Sequence, residues 1–558
     1  MHMLSKLHRT ALLTLAVGGL LGFEASAQNS PLLLPGQVLP GAGTINAVGE
    51  FAMNSQGSWV AVVRTDAAPA PGKALLVRDG TPLLTPFGTQ FEPWFSTHEA
   101  YLDIDEAGNV AWIGNDPATG QWVLMLGQTE VLRQGTLADV DGDGSSNPIL
   151  GIRVLVLPDD GSGALYAVLR EEPATQEALV RLRRDSQGVL QVSTVVTKGT
   201  VLPGGQVVFE YASQLAARYR YELDSNVAGD LVFAVEAAGV YRYRAASGKL
   251  SPVLVDGSQS PFFGKTWGTE RRVGRSLTDS GSAIAWAMLE AAGESAITAI
   301  ARDQQLLLSD EQQFEGPSGA ELRRIEDLCP IRVSKDGQAL WIGLVDSQAK
   351  GTYRALYRDR KMIVAEGITR IQGQRLKSFF SGGASYDLDA DGSTVLVRAQ
   401  LEDGRTGLFA IEPEATFRTL PGCTPKLAQL GQLDPTQWAV GPFTTPWSLA
   451  ADNYGIPMAG RQDSSAVALL LLSPAGFDTC GPLLPGLGEV LVDLGSGELR
   501  VLPSGLGGPL AVFPISIDLG YDLGLQGLPI YAQGLWYSPL NPVEPVRFSN
   551  GIKFTLGI

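Results

Sequence analysis

A polar turn ending in glycine, followed at once by an apolar strand, recurs seven times along the first 420 residues. The turns begin at Asn54, Asp105, Pro158, Asp224, Thr278, Ser334 and Asp389, and they open onto runs such as SWVAVV, NVAWIG, DLVFAV and QALWIGL. The closing glycines are Gly57, Gly108, Gly163, Gly229, Gly281, Gly337 and Gly392, spaced 51, 55, 66, 52, 56 and 55 residues apart. Within each interval further short alternating strands are readable, punctuated by Asp-Gly or Ser-Gly. In the fifth, RRVGRSLT, AIAWAMLE, AITAIARD and QQLLLSD supply four. A period of this length built from four short strands is the signature of a β-propeller. No long amphipathic helical pattern interrupts it.

A lone four-stranded blade has two apolar faces and cannot bury either in water. Seven blades around an axis bury each face against a neighbour. The recurrent aromatics Trp112, Tyr166, Phe233, Trp286 and Trp341 are therefore expected between blades, not stacked on a ligand. Ring closure also leaves a trace. Pro35–Gly43 (PGQVLPGAG) matches Lys198–Gln206 (KGTVLPGGQ), which ends the third repeat. The chain thus begins its first repeat with the end of a blade, and the N-terminal segment is expected to supply a missing strand to the seventh. From residue 421 the repeat stops, and about 135 residues of short strands between Gly, Pro and Asn turns have the size of a β-sandwich. The expected fold is all-β: a propeller over 28–420 and a sandwich over 421–558.

The first 27 residues read as an export signal: Lys6 and Arg9, an apolar run from Ala11 to Leu21, then Ala25-Ser26-Ala27. The run is too short to span a bilayer, so a removed leader is expected over an uncleaved tether, and no later run is long enough to cross. Losing two basic residues and one acidic one with it takes the net charge from -16 to -17. Such a surface repels phosphate backbones and anionic membranes, and suits solubility, cation binding or a basic partner.

Histidine is nearly absent. His98 alone lies beyond the leader, which excludes multi-histidine zinc sites and leaves a Ser-His-Asp or Cys-His mechanism only that one imidazole. Of three cysteines, Cys423 and Cys480 are the expected disulfide pair, worth about 4 kcal/mol on the chain-entropy model. Cys329, in LCPIRV, is expected to be a buried thiol.

One stretch carries recognisable ligand chemistry. Asp139-Val-Asp141-Gly-Asp143-Gly144-Ser-Ser-Asn147 is a DxDxDG loop with Asn at the ninth ligand position. Alternate oxygens converge, Gly144 permits the sharp turn, and three close carboxylates repel one another unless a cation intervenes. Asp139, Asp141, Asp143 and Asn147 are the candidate metal ligands, with calcium the candidate ion. The loop resembles those of integrin-type propellers and, less closely, EF-hands, although Leu150 stands where an EF-hand has its bidentate Glu. Asp387-Leu-Asp389-Ala-Asp391-Gly392 has the same spacing, but a repeat hairpin already explains it.

The repeats resemble those of secreted bacterial β-propeller tandem-repeat proteins of unknown activity, carried here by Asn54–Val63, Asp105–Gly114, Asp224–Val235 and the two Leu-Pro-Gly loops. The tail resembles small C-terminal β modules of exported proteins, ending in Ser549–Phe554. The resemblance implies a fold and an exterior location, and brings no catalytic residues. Two functions follow as expectations. One is a non-catalytic binding or scaffold protein of the envelope or exterior that recognises a protein or glycan on one propeller face, with the C-terminal domain as a surface attachment. Tyr211, Arg218, Tyr219, Arg220 and Tyr221 are a candidate contact surface. The other is a carboxylate-based polysaccharide-processing enzyme, glycosidase or lyase. The enzyme requires an axial pocket with two or three carboxylates roughly 5 to 10 Å apart, one of raised pKa; a scaffold requires an unremarkable axial lining. Neither binds nucleic acid.

Overall fold

The computed structural model describes residues 30–411, with internal breaks of which 209–222 is the longest, and in the C-terminal region mainly the strands between 416 and 555. Two compact units result, one comprising 30–368 with 375–411 and a second built on 412–558. Among the described residues there is no helix, and hence none long and apolar enough to cross a membrane. The expected leader, His98, Cys423, Cys480 and the candidate contact residues Tyr211, Arg218, Tyr219, Arg220 and Tyr221 lie outside the described residues.

The larger unit is a seven-bladed β-propeller. Each blade is an antiparallel sheet of four or more strands. Blade four, for example, runs Leu223–Ser225, Leu231–Val235, Gly239–Arg244 and Lys249–Val255 in spatial order. All seven repeat glycines adopt positive φ, between 65° and 82°. The residue at the head of six of these turns closes the hairpin twice. Its carbonyl accepts the glycine amide, as Asn54 does from Gly57 at 3.0 Å, and its side chain accepts an amide beyond the turn, as Asn54 Oδ1 does from Ser58 at 2.9 Å. Asx, Ser or Thr at the head and Gly at the left-handed position are what this turn demands.

The core lies between blades, not within them. Trp112, Tyr166, Phe233, Trp286 and Trp341 are all buried. One apolar cluster joins blades one and two through Val60, Leu76, Leu102 and Trp112, and another joins blades three and four through Tyr166, Val168, Leu231 and Phe233. Four arginines staple neighbouring blades together. Arg78 Nη1 donates to the Gly108 carbonyl of the next blade at 2.8 Å, and Arg358 Nη1 to Gly392 at 2.9 Å. Arg242 and Arg302 reach Gly281 and Gly337 in the same way. After three of these arginines comes an aspartate at positive φ (Asp79, Asp303, Asp359) whose carboxylate accepts the first amide of its own second strand, Trp59 N to Asp79 Oδ1 at 2.8 Å being one case.

The ring closes at its ends. Strand Ser30–Leu33 pairs antiparallel with Thr406–Ile411 and forms the outer strand of blade seven. Pro35–Gly43 then turns into blade one just as Lys198–Gln206 turns from blade three into blade four: the Gly36 amide donates to Ile45 at 2.8 Å, and Gly199 to Val208 at 2.7 Å. Thr416–Leu420, counted in the seventh repeat from sequence, pairs instead with Val546–Thr555 in the second unit. There a five-stranded antiparallel sheet continues through Pro529–Tyr537, Val467–Ser473 and Arg500–Leu506, with Leu471, Val490, Val492 and Tyr531 buried together.

Candidate functional site

One position in the first strand of each blade recurs at the same offset from the turn. Two positions before the turn head, which in blade four is Asn226, whose carbonyl accepts the Gly229 amide at 2.9 Å, successive blades carry Ala52, Asp103, Val156, Asp224, Ser276, Arg332 and Asp387. All but Ala52 line an axial cavity of about 120 Å³. The aspartates are anchored to the neighbouring blade. The Leu157 amide donates to Asp103 Oδ2 at 2.8 Å, the Leu277 amide to Asp224 Oδ2 at 2.8 Å, and the Met53 amide to Asp387 Oδ2 at 3.3 Å. Ser276 Oγ also donates to Asp224 at 2.6 Å.

Arg332 is the cation of this tier. Its Nε lies 3.2 Å from Asp387 Oδ1 and its Nη1 3.9 Å from Asp224 Oδ1. Burial alone would weaken its charge, but Asp387, Asp224 and Asp103 more than offset that and hold the guanidinium protonated. Burial pushes the Asp224 carboxyl up, with Arg332 opposing. Arg332 sits closer to Asp387, so Asp224 is the less fully compensated acid.

A second tier forms the mouth. Ser55 donates to the Glu106 carboxylate, and the Glu106 amide donates to Asp159 Oδ1 at 2.8 Å. The Lys335 amide donates to the Ala390 carbonyl at 2.6 Å, and the Ala390 amide to Ser55 at 2.8 Å, so main chain links blades six, seven and one. Burial first, then Asp103, push the Asp159 carboxyl up to about 7. Burial also raises Asp279, assisted by Glu106 and opposed by the Val227 amide and by Lys335. In all, six carboxylates (Asp103, Asp159, Asp224, Asp279, Asp387, Asp389) face two cations, Arg332 and Lys335, in one cavity.

Asp159 carries a pH consequence. Its folded pKa exceeds its ordinary value, so it contributes stability in full below about pH 4 and loses it as pH rises through about 7. The shift bounds the effect at about 4 kcal/mol, and screening at the open mouth lowers it to about 1–3. Asp159→Asn keeps the acceptor for the Glu106 amide. It is expected to raise unfolding free energy by about 1–3 kcal/mol at pH 7.5 and to change nothing near pH 4. Denaturant titrations at the two pH values check this; equal effects at both would remove the assignment.

The DxDxDG loop lies elsewhere, in the hairpin that carries blade two into blade three, between strands Leu137–Ala138 and Asn147–Val156. It occupies the place that Leu-Pro-Gly turns take at the entries to blades one and four. Asp139, Asp141 and Asp143 each bring a carboxylate oxygen to within 4.8 Å of the other two, close enough to hold an ion. Gly142 and Gly144 donate their amides to the two Asp139 oxygens at 2.8 and 3.0 Å. Asn147 opens the return strand opposite Ala138. The second DxDxDG run does not converge in this way. Asp387 faces Arg332 on the axis and Asp389 caps its turn, accepting from Ser393 Oγ at 2.7 Å, so only Asp391 is left on the surface. Cys329 is buried, in agreement with its apolar context.

Sequence reading missed both the axial tiers and the arginine staples. The available signal was the recurrent Arg-Asp pair and the charge at one fixed position per repeat.

No family model matches the sequence, and no curated protein matches it. Among solved structures the chain is similar to propeller proteins. These include an oligogalacturonate lyase in complex with manganese (10% identity, TM-score 0.35, covering 69% of this chain and 93% of that one). An oligogalacturonate lyase from Vibrio parahaemolyticus matches at 7% identity and TM-score 0.37 (69% and 92%). A puromycin hydrolase matches at 12% identity and TM-score 0.27 (71% and 61%). Similarity of this size bears on neither substrate nor activity.

Proposed function

We propose that the protein is an exported, non-catalytic binding or scaffold protein of the cell envelope or exterior, which recognises its ligand on the propeller face where the acidic axial cavity opens. The observation that carries this reading is the imbalance of six carboxylates against two cations inside that cavity. Such a site attracts positive charge. A volume of about 120 Å³ lies well below the roughly 300–1,000 Å³ of small-molecule pockets. It admits an ammonium or guanidinium group. A partner protein offering a Lys or Arg side chain fits better than a neutral glycan. The second unit serves as the surface attachment, and calcium is the ion of the Asp139, Asp141, Asp143 and Asn147 loop.

The lining is not the unremarkable one expected of a scaffold, and Asp159, with its carboxyl near pH 7, favours a second reading as the general acid of a glycan-cleaving enzyme. Against it, Asp103, Asp224 and Asp387 are engaged by backbone amides and Arg332, and Asp389 caps its turn, so the base would have to be Asp279, which burial also favours in its protonated form. A panel of basic peptides and of neutral and acidic glycans, scored for binding and for turnover, separates the two. Binding of basic peptides without turnover supports the first; cleavage of any glycan, abolished by Asp159→Asn, replaces it with the second. For the ion, calcium at a hundred times its Kd is expected to add about 2.7 kcal/mol over chelator. An unchanged melting midpoint would remove calcium from the account.

A further inference from the structure

Glu171 ends the second strand of blade three, opposite Ile149 and Gln176, and is wholly buried. One carboxylate oxygen accepts the Val140 amide at 3.4 Å, and the other has no hydrogen-bond partner. Val140 stands between Asp139 and Asp141 in the acidic hairpin. It is fully buried, and its carbonyl accepts Thr194 Oγ1 at 2.8 Å. Both backbone groups of the hairpin's second residue are therefore fastened to the blade, with the Glu171 carboxylate on the hairpin's inner side.

A buried carboxylate oxygen without a donor is costly, and three more carboxylates nearby add to the cost. A divalent cation reverses the sign of both effects, since it supplies the missing partner and neutralises the cluster. The loop lacks the acidic residue that EF-type loops carry at their twelfth position, where Leu150 stands. The strand beside Ile149 brings a carboxylate to the loop from another part of the chain.

We propose that Glu171 is the fourth carboxylate ligand of the cation site formed by Asp139, Asp141 and Asp143. In this role it supplies from the sheet the anchor that the loop itself lacks, and it ties the hairpin between blades two and three to the body of blade three. The proposal rests on the calcium reading of the loop.

The test is a calorimetric titration of chelator-treated full-length protein with Ca²⁺, for wild type, Glu171→Gln and Asp141→Asn. Gln keeps an acceptor for the Val140 amide and nearly the same volume, so the fold should persist, and melting in EDTA verifies that. Wild type is expected to bind one Ca²⁺, and each variant at least tenfold more weakly. Should Glu171→Gln not fold, Glu171→Asp retains the charge on a shorter stem and is expected to bind with reduced affinity. If Glu171→Gln or Glu171→Asp binds like wild type while Asp141→Asn loses the ion, Glu171 is no ligand and the loop reading stands. If wild type itself binds no Ca²⁺, the loop reading fails and takes this proposal with it.

Discussion

Shortening Leu33 to alanine is expected to destabilise the propeller by about 2–5 kcal/mol, the range for a deleted core side chain. Leu33 belongs to a strand of four residues, Ser30–Leu33, and short N-terminal strands are usually dispensable. This one is not placed to be. It pairs with Thr406–Ile411 as the outer strand of blade seven, and Leu33 is wholly buried with Phe51, Val63, Leu396 and Leu408. These residues come from the first and last blades. The chain runs on from Ser30–Leu33 into blade one, so the pairing of this strand with Thr406–Ile411 is where the ring is held closed by hydrogen bonds and packing alone. Val38, five residues on and 68% exposed, provides the control: Val38→Ala is expected to cost under about 0.5 kcal/mol. Denaturant unfolding of the two variants measures the contrast, and equal losses would mean that the seam does not hold the ring.

Removing the Arg332 charge by substitution with methionine is expected to cost about 3–5 kcal/mol, the penalty for leaving buried charge without its partner. The reasoning is electrostatic, because Met replaces much of the side chain's volume. Asp387 loses an ion pair at 3.2 Å, and Asp224 and Asp103 lose the positive charge that offsets their own burial. Carboxylates left uncompensated have raised folded pKa values, so the deficit should be full at pH 7.5 and shrink as pH falls and they protonate. The double variant Arg332→Met with Asp387→Asn should recover part of the loss even at pH 7.5. A deficit independent of pH, with no recovery in the double variant, would point to packing and not charge.

Local chemistry made the architecture legible. A turn that needs glycine at positive φ and an Asx, Ser or Thr acceptor at its head repeats itself wherever a blade's first hairpin forms, so Gly57 through Gly392 mark the ring from sequence alone. The DxDxDG hairpin was legible for the same reason, since its three aspartates and Asn147 sit within nine residues. The axial tier was not. Asp103, Asp224, Arg332 and Asp387 are separated by 55 to 121 residues, and each looks like an ordinary charge beside a polar turn until the circle brings them together. Asp387 was read with Asp389 and Asp391 because they are close in sequence, but the strand ends at Leu388 and the tight turn after it takes Asp389 and Asp391 away from the face that Asp387 occupies. Glu171 was hidden differently. At a strand end its charge reads as solvated, and only the hairpin folding over it shows that it is buried. The Arg-Asp pairs at 78, 302 and 358 recur visibly, yet each arginine's acceptor is 30 to 35 residues away, on the next blade.

Whether the axial mouth receives positive charge is decided by one titration: a lysine-bearing peptide against the full-length protein, beside the same peptide acetylated at its lysine. Saturable binding of the first alone is expected, weakened roughly tenfold by Asp159→Asn with Asp279→Asn, a loss of about 1.4 kcal/mol, and weakened further by added salt. Indifference to acetylation, or to both substitutions, would contradict the assignment of this cavity as the recognition site.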